Sequence, residues 1–139
     1  MSAPVADLPE SLIPAAVSLW HRTGLTRPWN DPEQDLRRAL DGPSSTVLAA
    51  RDAGGDLLGT AMVGHDGHRG WVYYLAVEPQ AQRQGLGRVL MAASEDWLRE
   101  RHVPKLNLMV RSTNAGVVRF YEAIGYEDGE VVVLGRFLS

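Results

Sequence analysis

The sequence predicts an α+β fold: a mixed, mostly antiparallel sheet flanked by helices, with one parallel step near its end. Two observations predict the architecture. Three strand-like runs follow one another between residues 46 and 77, joined by short turns rich in Gly and Asp, which reads as an antiparallel meander. From residue 86 the order becomes helix, strand, helix, strand, and a strand reached through a helix can lie parallel to its neighbour. A third observation bounds the size. With 139 residues, 45% apolar and 22% charged, the chain is expected to be one domain (1–139) with a real core.

Leu12 to Thr23 reads as a helix with Leu12, Ile13, Ala16, Leu19 and Trp20 on one face. Ser11 is its candidate cap, Pro14 fits its first turn and Gly24 stops it. After the loop Thr26 to Pro32, Asn30 or Asp31 can cap a second helix, Glu33 to Leu40, with Pro32 at its first position. Thr46 to Arg51 is a strand, Asp52 to Asp56 a hairpin connection and Leu57 to Gly64 the returning strand. The Asp66-Gly67 pair turns the chain again. Trp71 to Val77 is the third strand, stopped by Glu78-Pro79. Leu86 to Arg101 is the longest helix, with Leu86, Leu90, Ala93, Trp97 and Leu98 toward the core. Lys105 to Val110 is a strand, Asn114 to Ile124 a helix ended by Gly125, and Glu130 to Phe137 a final strand.

Composition narrows the function classes. No apolar run is long enough to span a bilayer, and no basic-then-apolar leader opens the chain. There are no cysteines, which excludes disulfides, thiolate metal sites and cysteine nucleophiles and leaves the cytoplasm as the default location. A formal charge of −3, with no Lys/Arg run, offers no field for nucleic acid. His65-x-x-His68 lacks the further ligands that a zinc site needs, so no metal is expected.

The feature that carries chemistry is the loop Gln82-Arg83-Gln84-Gly85-Leu86-Gly87, placed between a strand and a long helix. The first N–H groups of a helix have no intrahelical partner and its dipole favours negative charge, so this junction suits a phosphate-bearing cofactor. Gly85 and Gly87 let the backbone come close to a bulky anion. A Walker loop needs Lys-Ser or Lys-Thr after its last glycine, and Arg88-Val89 stands there instead. A dinucleotide fingerprint needs a third glycine near Leu90 and parallel strands from the start. Arg83 and Arg88 are candidates for contacting phosphates, or are solvated side chains.

Gln82-x-x-Gly85-x-Gly87, together with Asn114, Phe120-Tyr121 and Gly125-Tyr126 downstream, resembles the GNAT superfamily of N-acetyltransferases across nearly the whole chain. Leu25 to Pro32 and Asp66 to Trp71 are similar to small bacterial members of the YpeA type. The resemblance implies acetyl-CoA as cosubstrate and an amine as acceptor. It implies pyrophosphate on the main chain of Gln82, Arg83, Gln84, Gly85, Leu86 and Gly87. It also implies a bulge near Leu75-Ala76, a splay from the next strand, and pantetheine along Leu75, Ala76 and Val77. By the same resemblance Asn114 is expected both to cap its helix and to contact the cofactor, and Tyr121 is the candidate for protonating the departing sulfur, or else a core aromatic beside Phe120. Whether the superfamily's first strand forms at Val5 to Leu8 is open.

A base is harder to find. Many superfamily members carry a carboxylate on the strand before the loop, whereas this strand offers Trp71, Tyr73 and Tyr74 and no acid until Glu78, which is expected to face solvent. If the strand is regular, Tyr73 and Tyr74 point to opposite faces, one lining the acceptor site. Trp29, Asn30 and Asp31 fall where the superfamily builds part of its acceptor wall. Asp31 either pairs with a cationic amine or caps the next helix, and Trp29 either covers that amine or packs. Asp66 either faces the cleft or anchors its turn. Expected partners are acetyl-CoA and an amine, without nucleic acid or membrane, and a homodimer through the C-terminal strands stays open. The rival to an N-acetyltransferase is a non-catalytic acyl-CoA-binding module that keeps the loop and lacks acceptor chemistry.

Overall fold

Alternation builds the sheet. In β2 (Ser45–Arg51), Val47 and Ala49 face one side and Leu48 and Ala50 the other, and all four are buried. Both faces of the sheet must therefore be covered. The computed structural model describes residues 4–138. Its contacts separate into two units that divide after Leu108.

The first unit holds a five-stranded sheet in the order β1-β2-β3-β4-β5, with β1 Val5–Asp7, β3 Leu57–His65, β4 Gly70–Val77 and β5 Leu106–Leu108. β1 to β4 are antiparallel neighbours, and β5 runs parallel to β4. The expected meander and parallel step are both present. The N-terminal strand does form, pairing Val5 with Ala50 and Asp7 with Leu48.

One face carries α1 (Ile13–Arg22) and α2 (Pro32–Asp41), whose Ile13, Ala16, Leu19, Trp20, Leu36 and Ala39 pack on Val47, Ala49 and Ala76. Asp31 caps α2, accepting from the Gln34 N–H at 3.1 Å. The expected Ser11 cap on α1 is not made. A short 3₁₀ turn, Glu10–Leu12, leads into that helix instead, with Pro14 in its first turn.

The other face carries α3 (Leu86–Glu100), which buries Leu86, Leu90, Met91, Ser94 and Leu98. Trp97 is only partly buried there, with the Arg101 guanidinium 3.6 Å from its ring centroid. The close seat of α3 depends on two strand glycines. A Cβ on Gly59 would lie 2.9 Å from Leu90 Cδ1, and one on Gly70 2.4 Å from Leu98 Cδ1.

The second unit contains α4 (Ala115–Ala123), capped by Asn114, which accepts from the Val117 N–H at 3.3 Å. The chain turns at Gly125, φ +103°. The expected strand at Glu130 to Phe137 is not formed among the described residues. Its β-branched run is strand-like in composition, but a strand exists only when its backbone finds a partner. Val131, Val132, Val133, Leu134, Phe137 and Leu138 all stand exposed.

Candidate active site

The site begins with an irregularity in β4. Thr60 pairs with Ala76 and Met62 with Tyr73, so β4 carries one extra residue opposite Ala61. The bulge is centred on Tyr74, which has φ +51°. It therefore lies slightly upstream of the expected Leu75-Ala76. Left-handed backbone at a bulky residue costs about 1–3 kcal/mol and persists only where the surroundings fix it. Here the Tyr74 ring stacks on Trp20 with centroids 3.8 Å apart, and its hydroxyl donates to Asp35 Oδ2 at 2.9 Å. The extra residue also ends the alternation of side chains. Tyr73 stands opposite Met62, which packs on the α1–α2 core, and Tyr74 stacks on Trp20 of α1. The two tyrosines thus share a face, contrary to the opposite faces expected of a regular strand.

Past the bulge β4 has no ladder partner on its β5 side among the described residues of the first unit. Its parallel pairing with β5 covers only Gly70, Trp71 and Val72. The Glu78 N–H donates to the Leu58 C=O at 2.8 Å. By the alternation of an antiparallel ladder, the N–H and C=O of Val77 then point away from β3, toward the open side. Gln82 reaches back and donates Nε2 to that Val77 C=O at 3.2 Å.

The loop then delivers uncapped amides. After a 3₁₀ turn at Pro79–Ala81, the Gln82 N–H donates to Pro79 C=O at 3.4 Å. Arg83 and Gly85 have φ of +68° and +81°. A Cβ at Gly85 would meet nothing within 4 Å, so this glycine is required for its left-handed conformation rather than for space. α3 has no side-chain cap and no acidic residue in its first turn. Its first intrahelical bond runs from Val89 N–H to Gly85 C=O, so Leu86, Gly87 and Arg88 keep N–H groups without helical acceptors. Gln84, Arg83 and Arg88 are exposed beside them.

The three carboxylates of the first unit that lie at the end of β4 or bond its side chains, Glu78, Asp35 and Asp66, are each engaged. Glu78 does not face solvent alone. Both its oxygens accept from Arg22 on α1, at 2.5 and 3.0 Å, and this bonding holds its pKa below the usual carboxylate value. Asp35 accepts from Tyr74. Asp66 accepts from the N–H groups of His68 and Arg69 at 2.8 Å each, and from Trp71 Nε1 at 3.3 Å, which lowers its pKa. Tyr73 is partly exposed, and burial with the Asp66 charge raises its pKa.

Tyr74 bonds Asp35 in the first turn of α2, the helix into which the Trp29-Asn30-Asp31 loop leads. Trp29 is 58% exposed, so it does not pack into the core. Asp66, by contrast, sits in the turn before the first residue of β4, at the opposite end of that strand from the glycine loop. In the second unit, Tyr121 is the buried residue of α4, edge-on to Phe120 and Tyr126. Burial pushes its pKa up to about 12.

A family model described as Acetyltransferase (GNAT) family matches residues 15–126. The chain belongs to that family. An acetyltransferase of Pectobacterium atrosepticum is 41% identical over 124 residues, 89% of this chain and 87% of the relative. The ribosomal-protein-S18-alanine N-acetyltransferase of Escherichia coli superposes with a TM-score of 0.73 at 27% identity, covering 88% of this chain and 76% of that one. AAC(6')-Iy, solved with a bisubstrate analogue of CoA, gives a TM-score of 0.82 at 16% identity, covering all of both chains, a likeness of fold. This GNAT protein is an acetyltransferase, and acetyl-CoA is the donor. Sequence reasoning found the loop. It missed Thr60, the Arg22–Glu78 clamp and the Gln82 tie, none of which has a local signal.

Proposed function

We propose that acetyl-CoA lies along the open edge of β4 with its pyrophosphate at the start of α3, and that a primary amine attacks its thioester directly. The observation that carries this is the row of N–H groups over Leu86, Gly87 and Arg88, which has no side-chain cap and follows β4 directly in the chain. Main-chain groups of Leu75, Ala76 and Val77 take the pantetheine arm as an added strand would be taken, with the Val77 groups already facing it. Gln82, Arg83, Gln84 and Gly85 complete the loop, and Arg83 and Arg88 supply positive charge to phosphate oxygens. Asn114 joins them by its place in the superfamily motif. The match of one family model from residue 15 to 126 supports one functional domain across both units.

The acceptor must arrive neutral. Holding a lysine-type amine neutral at pH 7 costs about 4.6 kcal/mol, whereas an α-amine costs only about 1 kcal/mol. Glu78, Asp35 and Asp66 are all engaged in bonds of their own, so an acceptor that needs little deprotonation fits this site best. We assign the acceptor to the α-amine class, as in the E. coli enzyme that acts on a ribosomal-protein alanine. Trp29, Asn30, Asp31 and Tyr73 form its wall. Asp66 is reassigned to its turn, because its bonds there use both oxygens.

Tyr121 is the catalytic acid. Its phenol stays protonated throughout the neutral range because its pKa is near 12, so it can give a proton to the departing thiolate as the amide bond forms, while the attacking nitrogen sheds its proton to water and the phenolate is reprotonated from water. Tyr121→Phe should lower kcat by about 10- to 100-fold while leaving KM for acetyl-CoA within about two-fold. The wild-type rate should rise with pH as the amine loses its proton, with no fall from Tyr121 below its own titration. Thiol release measured with α-amine and lysine-type peptides tests both statements, and equal turnover in Tyr121→Phe would remove the assignment. The exposed apolar tail, Val131 to Leu138, supports burial against a second copy of the chain as a homodimer.

A further inference from the structure

Thr60 is fully buried in the middle of β3. Its hydroxyl accepts from Trp20 Nε1 at 2.8 Å and donates to the Tyr74 C=O at 2.9 Å. A hydroxyl has one proton to give, and this one goes to a carbonyl at the centre of the bulge. Tyr74 is therefore held at three points: its ring by Trp20, its hydroxyl by Asp35 and its carbonyl by Thr60. Only the third acts on the main chain, and the main chain is what turns between Tyr74 and Val77.

We propose that Thr60 is a positioning residue for acetyl-CoA: its bond to the Tyr74 carbonyl keeps β4 bulged and so holds the peptide groups of Leu75 to Val77 in the orientation the pantetheine arm requires. The inference rests on the cofactor placement proposed above. Valine has nearly the same shape as threonine but no proton to donate. Without the hydroxyl, the Tyr74 carbonyl loses the bond that holds it in the bulge, and the register that aims Val77 at the open edge loosens.

The test measures acetyl-CoA affinity by calorimetry on the full chain, beside far-UV circular dichroism and Tm. Thr60→Ser keeps the hydroxyl and should bind within about two-fold of wild type, whereas Thr60→Val should weaken binding by about tenfold or more while folded. Trp20→Phe removes the other partner of the hydroxyl but leaves the bond to Tyr74, so it should lower Tm and keep affinity within about two-fold. If Thr60→Val does not fold at the assay temperature, Trp20→Phe/Thr60→Val compared with Trp20→Phe reads the same contrast with no orphaned indole. A folded Thr60→Val protein that binds like wild type overturns the proposal. So does failure of both valine variants to fold while Thr60→Ser folds and binds, since Thr60 would then be a folding residue. Gly87→Asp separates the two levels. If it leaves affinity unchanged, the cofactor placement fails. If it abolishes binding while folded Thr60→Val does not, only the role of Thr60 fails.

Discussion

Two turns flank β4, and they treat their amides in opposite ways. The turn before it, His65 to Gly70, folds around Asp66, whose carboxylate takes the N–H groups of His68 and Arg69. The junction after it, Glu78 to Leu86, has the same left-handed glycine conformation, at Gly85 as at Gly67, yet the helix start carries no side-chain acceptor. A turn that only reverses the chain satisfies its donors with an anion of its own. On the placement proposed above, the second turn leaves its donors at a helix N-terminus to an anion from outside.

Giving the second turn an internal anion should erase the contrast. Gly87 sits in the first turn of α3 and has no positive φ, so Gly87→Asp keeps an allowed backbone and sets a carboxylate where the dipole favours one. Acetyl-CoA affinity should fall about 100-fold, ~2.8 kcal/mol at 1.4 kcal/mol per decade, with Tm unchanged or raised. Removing one charge beside the open amides tests the same idea more gently. Arg88→Ala should weaken binding about five-fold at low salt and less at high salt, because exposed charges are screened. Opening the first turn with Asp66→Ala should lower Tm by about 3 °C and leave acetyl-CoA affinity alone, so a loss of binding there would break the comparison. The smallest effect concerns the Arg22–Glu78 clamp at the mouth of the second turn. The Glu78 pKa is lower folded than its ordinary 4.5, so the clamp contributes fully above that pH and is lost as pH falls through the folded value. Acid titration of Tm should show a slightly steeper decline in wild type than in Glu78→Gln.

Features set by neighbouring residues were legible in the sequence. The Asp66-Gly67 hairpin, the Pro32 helix start and the glycine loop are each specified within a few positions, by turn chemistry or periodicity. Features set at long range were not. Tyr74 bulges because of Trp20, Asp35 and Thr60, which stand far from it in the chain. Glu78 meets Arg22 from 56 positions away. The run Val131 to Leu134 has the composition of a strand, and composition cannot say whether a partner backbone is present. Conversely, β1 has only three residues and little propensity, and it forms because β2 offers it an edge. For the proposed acceptor wall the sequence offered candidate residues without contacts, and Asp31 and Asp66 each have a structural use that no local pattern settled beforehand.

The amide of Gln82 on the Val77 carbonyl has a further consequence. An uncovered strand margin is a template for unwanted association with other polypeptides. Gln82 already fills one acceptor on that margin, which therefore offers one carbonyl fewer to a stray strand. On the cofactor placement proposed above, the pantetheine arm must displace this amide and give the Val77 carbonyl a donor of its own, so the phosphate contacts at the start of α3 help to offset that exchange.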